Sequence, residues 1–189
     1  MRWDALFNDL ESQIAESDRL SLEAEVTERA RVELVDTGYV DRLRGAIGSR
    51  IGVQLHSGET VEGALCHAGA DALVLDDGPQ QVLIPYAGVA RYVGLGRFLG
   101  VEPSRVGRGI GLARSLRALA RDRAPLVLTL GSVTGTTRLE GVIDRVGKDY
   151  VDLASVTPGE VRRSDHVRQV STIPFAALSA VRSLRTGGL

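Results

Sequence analysis

The chain writes one phrase twice. Residues 83–93 read LIPYAGVARYV and residues 172–182 read TIPFAALSAVR. Upstream of each phrase, Gly63, Gly69, Asp71 and Leu75 recur as Gly141, Gly147, Asp149 and Leu153 at a constant offset of 78, while the Ile-Pro phrases recur at 89. The second copy is therefore longer by 11 residues, within SVTPGEVRRSDHVR, a polar stretch that belongs in a surface loop. Such an internal duplication restricts the fold to two copies of one supersecondary unit. At 189 residues, each copy is a small domain.

Within a copy the apolar residues have the period of strands. Ile51, Val53 and Leu55 alternate with Gly52 and Gln54, which predicts a half-buried strand. HSGE supplies a turn, and Val61, Gly63 and Leu65 resume the alternation. AGAD turns again before Leu73 and Leu75; QVLI and residues 89–93 complete five strands. Pro85 and Pro174 lack an amide donor and predict a sharp corner between strands four and five. Gly63 and Gly141 predict bends or bulges where a small sheet curls.

A helix is expected before each set of strands. In IGLARSLRALARDRA, Leu112, Leu116 and Leu119 share one face. At ~100° per residue, Arg114, Arg117 and Arg121 fall within about 60° of one another on another face. In DTGYVDRLRGAIG, Asp36 or Thr37 offers an N-cap, with Leu43 and Ile47 as apolar contacts. The expected fold class is mainly β with α: two tandem five-stranded small barrels, each preceded by a helix, plus an N-terminal helical arm.

VEGALCHAGADALVL and LEGVIDRVGKDYVDL resemble the first motif of the Sm-like family: a glycine, an apolar residue, then an acid near the next turn. The two Ile-Pro phrases are similar to the strand-four to strand-five segment of its bacterial Hfq branch. The resemblance covers residues 37–93 and 109–184 and implies an Sm-like fold. The whole chain also resembles a group of proteins from high-GC Gram-positive bacteria, which implies no function. The family's RNA pocket uses an Asn where this chain has Ala72-Leu73 and Tyr150-Val151. The Hfq corner carries Lys-His where Ala87-Gly88 and Ala176-Ala177 stand here, so no family binding residue is carried over. The implied organisation is a helical arm at 1–36, a first barrel at 37–95 and a connector rich in Gly and Arg at 96–108. A second barrel with its leading helix follows at 109–185, and a tail at 186–189.

Charge is distributed unevenly. The formal net charge of −1 combines an excess of about seven acids in residues 1–41 with an excess of about six bases in residues 42–189. Eight arginines lie between Arg91 and Arg123, opposed there only by Glu102 and Asp122. Arginine neutralises and pairs with phosphates, so Arg91, Arg105, Arg108, Arg114, Arg117, Arg121 and Arg123 form the expected nucleic-acid or partner surface. A solvated helix face and a dock for the acidic arm are the structural alternatives, and arginine-biased codon usage also accounts for part of the excess. Trp3, Phe7, Leu10 and Ile14 recur three or four residues apart, an amphipathic stripe that either packs on the barrels or meets a partner. The acidic polar face of that arm argues against a membrane surface.

No catalytic, metal or cofactor site is expected. Cys66 and His67 are sequence neighbours whose side chains leave a regular strand on opposite faces. His56, His67 and His166 lack metal-ligand spacing. GLGRFLG and GRGIG lack phosphate-loop spacing and read as connector. MRWDALFNDLE is too acidic for a signal peptide, no apolar run reaches membrane-spanning length, and a lone cysteine gives no disulfide framework; the expected location is cytoplasmic. The function expected is a non-catalytic module binding nucleic acid, RNA ahead of DNA, through the arginine helix and connector. The alternative is a protein-interaction scaffold or homo-oligomer using the N-terminal helix and barrel edges.

Overall fold

Alternating burial builds the strands of both repeats. In β1 (Arg50–Leu55), Ile51, Val53 and Leu55 are buried while the residues between them are not. In β2 (Thr60–Ala68), Val61, Gly63 and Leu65 face inward. β3 (Ala72–Asp76), β4 (Gln80–Pro85) and β5 (Val89–Val93) complete the first repeat. β6 (Leu126–Ser132), β7 (Gly135–Val146), β8 (Tyr150–Ser155), β9 (Gln169–Pro174) and β10 (Leu178–Leu184) make the second. A helix precedes each set of strands, α1 (Tyr39–Gly45) before β1 and α2 (Leu112–Asp122) before β6. The computed structural model describes residue 19 and residues 38–78, 80–96, 109–132, 135–155 and 169–184. Residues 1–39 and 40–189 form separate compact units, and the architecture here is that of the second. The stripe Trp3, Phe7, Leu10 and Ile14, the caps Asp36 and Thr37, most of the 11-residue insertion and the connector arginines Arg105 and Arg108 lie outside the described residues.

The duplication holds strand by strand. Ala72 pairs with Pro85 as Tyr150 pairs with Pro174. The β2–β3 ladder shifts register around Cys66, and the β7–β8 ladder shifts around Asp144, 78 residues on. Pro85 and Pro174 each end a strand, and a single 3₁₀ turn follows, Tyr86–Gly88 or Phe175–Ala177. The repeated Ile-Pro phrase is this corner. Arg44 donates to the Gly69 carbonyl at 3.4 Å as Arg117 donates to the Gly147 carbonyl at 2.9 Å. The helices therefore correspond at an offset of 73.

Two separate closed barrels do not form. All ten strands join one open antiparallel sheet in the order β5-β1-β2-β3-β4-β10-β6-β7-β8-β9. Closing each repeat on itself would need its fourth strand for its own fifth. Instead β4 takes β10 of the other repeat, with Val181 opposite Leu83 and Arg182 opposite Val82. The cores interlock accordingly. Ala180 enters the first cluster, around Leu43, Leu65 and Leu73; Ala72 and Leu83 enter the second, around Leu116, Leu128 and Leu153. A fully buried leucine contributes roughly 1.5–3 kcal/mol, so Leu83, 6% exposed, binds the halves substantially.

Two local expectations are also corrected. Of the bends or bulges expected at Gly63 and Gly141, the bulges fall elsewhere: β2 shifts register at Cys66 and β7 at Asp144. Gly63 and Gly141 lie where one long strand passes from one partner to the next: β7 pairs with β6 up to Gly141 and with β8 from Val142. Ile47 follows α1 and is 37% exposed, and Ala46 takes the expected inward place beside Leu43.

Candidate functional site at the repeat seam

The β4–β10 junction lies beneath α2. Leu112 and Leu116 are buried and Leu119 packs partly into the second core. The helix is held at both ends. Gly111 has no side chain to cap it, and Asp71, from the turn after β2, supplies the acceptor: its Oδ1 receives the Leu112 amide at 2.6 Å. At the other end Arg123 adopts the left-handed conformation (φ 49°) and stops the helix. Replacing such a capping carboxylate costs about 1 kcal/mol. Asp71→Ala is expected to lower the melting temperature by roughly 2–4 °C. Asp149→Ala, at the exposed counterpart, should leave thermal denaturation of the dilute chain unchanged.

Between α2 and the seam runs a groove of about 330 Å³. Val74, Leu83, Val181 and Leu119 supply apolar lining, with Gln81 and Ser183 beside them. Arg114 and Arg121 line it from the helix, and Asp122 is the one acid among the described lining residues. Arg114 and Arg121 are seven residues apart, roughly 10 Å along the helix axis. Both are exposed, and neither guanidinium has a hydrogen bond or ion pair within the described residues. Among those residues, no helix is long and apolar enough to cross a membrane.

The expected arginine surface divides. Arg114 and Arg121 meet at the groove. Arg117 turns away and holds the Gly147 carbonyl. Arg91 is exposed on β5, opposite Gln54, and Arg123 is exposed at the helix end; neither lines the groove. Cys66 is exposed at the register shift of the β2–β3 ladder, and its Sγ lies 3.6 Å from the Ala64 carbonyl.

Sequence reasoning missed the polar lock beside the seam. Arg182 donates to Thr129 Oγ1 at 2.9 Å and pairs with Glu59 of the first repeat. Arg138 approaches the other Glu59 oxygen at 3.4 Å without hydrogen-bond geometry. Arg182 and Glu59 are 123 residues apart, and no spacing rule connects them. Thr129 is fully buried, and such a group needs a partner, but only the fold shows which. The sequence matches no protein-family model and no curated protein, so a role for the groove rests on its own chemistry.

Proposed function

We propose that the chain is a non-catalytic module of Sm-like build that binds single-stranded nucleic acid, RNA ahead of DNA, along the seam groove. The observation that carries this reading is the pair Arg114 and Arg121, two unpartnered guanidinium groups beside one groove. Each suits a phosphate, as a bidentate donor with fixed geometry. The apolar lining suits the face of a base, and Gln81 and Ser183 suit its edge or a 2′-hydroxyl. No aromatic side chain among the described residues lines the groove, so stacking would fall to the guanidinium planes. The order β5-β1-β2-β3-β4, with a second strand that pairs first with β1 and then with β3, resembles an Sm-like unit, which supports RNA over DNA. Each such unit would be completed by a neighbour instead of closing alone.

Fluorescence anisotropy with labelled single-stranded RNA and DNA, at rising salt, tests the reading. Two phosphate contacts predict a contribution of about −1.4 to the slope of log K against log salt. Absence of salt-sensitive binding to either strand would sink the proposal.

A further inference from the structure

An acid lines the groove in which two arginines are to hold phosphates. Asp122 ends α2 and stands between Arg121 and Arg123 in sequence. It is exposed, and its carboxylate has no hydrogen bond or ion pair among the described residues, with either arginine or any other group. A negative charge in the last turn of a helix opposes the macrodipole, so Asp122 does not stabilise α2. Facing a phosphate it would weaken binding by repulsion. Its place suits a base edge instead. We infer that Asp122 makes the groove selective for guanine, an inference that rests on the groove being the site of a single strand.

The helix turns two parallel rows toward the groove. Arg114, Ala118 and Arg121 form one, and Ser115, Leu119 and Asp122 form the other, each at spacings of four and then three residues. The first row suits phosphates at its two guanidinium ends. Between them Ala118 carries nothing beyond Cβ, which leaves room for a base against Val74, Leu83 and Val181. The second row then meets the edge of that base. Ser115 donates its hydroxyl proton to the Gly111 carbonyl at 3.2 Å and Leu119 is apolar, so Asp122 supplies the charged group on this row.

A carboxylate has two acceptor oxygens and no proton to give. It is matched by two donors side by side. Guanine presents them at N1–H and the 2-amino group, the same fork with which a guanidinium grips a carboxylate. Cytosine and adenine each set one amino donor beside a ring nitrogen that accepts. Uracil sets its N3–H between two carbonyl oxygens, which a carboxylate repels. Guanine therefore ranks first and uracil last. Gln81 on β4 also lines the groove, and its amide is a donor suited to guanine O6.

Fluorescence anisotropy at one fixed salt concentration tests the inference, with a short oligoribouridylate whose central position is uracil, cytosine, adenine, guanine or hypoxanthine. The guanine strand is expected to bind roughly tenfold tighter than the uracil strand, within the range for one bidentate base contact. Hypoxanthine keeps N1–H but lacks the 2-amino group, and is expected to fall between them. Asp122→Asn is expected to fold as the wild type does, because the side chain is exposed and the helix end favours loss of the charge. It should hold every strand slightly more tightly, having lost a repulsion, while the preference for guanine over uracil is largely lost. A purely electrostatic role for Asp122 would move all strands together and leave that preference unchanged. Equal affinity for all five strands, a preference for uracil, or a guanine preference undiminished by Asp122→Asn overturns this inference alone. Binding of no strand overturns it together with the groove as a nucleic-acid site.

Discussion

Gly141→Ala is expected to destabilise the whole second unit by about 3 kcal/mol, the upper part of the range for overpacked sites. A Cβ on Gly141 would run into the Ala154 carbonyl and lie 3.0 Å from Leu153 Cγ. Gly63→Ala meets the same obstacle in the other repeat, with the Asp76 carbonyl oxygen at 2.5 Å. The nearest obstacle in each case is a partner-strand carbonyl, so no rotamer change relieves it. For a chain of this size the loss is a fall in melting temperature of roughly 6–12 °C. Gly52→Ala is the control: its Cβ would find only side-chain atoms, Val93 Cβ at 3.5 Å and Glu62 Cγ at 3.8 Å, which is ordinary contact. Differential scanning calorimetry decides. Because the two cores share Ala72, Leu83 and Ala180, a substitution in either repeat should move a single transition. Two transitions, one displaced and one fixed, would show that the repeats fold independently. An unshifted Gly141→Ala would show that the strands do not approach as described.

The same glycines show how far the sequence could be read. Period-two alternation placed Ile51, Val53, Leu65 and Leu75 on the inner face, because a strand's side chains must alternate whatever the strand pairs with. The repeat placed the corner at Pro85 and Pro174 through proline's missing donor. Alternation carries no information about which strand lies alongside, so β4 reads identically whether it meets its own β5 or β10 of the other repeat. That choice belongs to long-range docking, and it turned two expected barrels into one open sheet. The site was legible to the same depth. Helical spacing put Arg114, Arg117 and Arg121 on one side of α2. A rotation of about 60° per three residues is nonetheless enough to send Arg117 to the β7–β8 turn while the other two reach the groove. The groove itself is lined from both repeats, and Asp71 caps a helix 41 residues away; neither leaves a local signature.

The division among the arginines leads to the largest expected effect on binding. Arg114→Glu combined with Arg121→Glu should weaken single-stranded RNA binding by roughly 100-fold: two charge-assisted hydrogen bonds at about 1.5 kcal/mol each, with tenfold per 1.4 kcal/mol. The salt slope should fall by about 1.4 at the same time. Arg117→Glu is the informative comparison. It changes net charge as much as either single substitution, on the same helix, but its guanidinium is engaged with the Gly147 carbonyl and does not line the groove. If binding follows the groove, Arg114→Glu and Arg121→Glu each lose about tenfold, while Arg117→Glu loses far less and leaves the salt slope nearly unchanged. If the three single variants lose affinity equally, attraction comes from the helix's diffuse positive field, and the groove has no part in recognition. A groove-bound strand also brings Gln81 within reach of the base edge, so Gln81→Ala should alter preference among oligonucleotides without altering the salt slope. That pair of results would mean that charge sets how tightly a strand is held and the seam sets which one, a separation that a diffuse basic patch cannot produce.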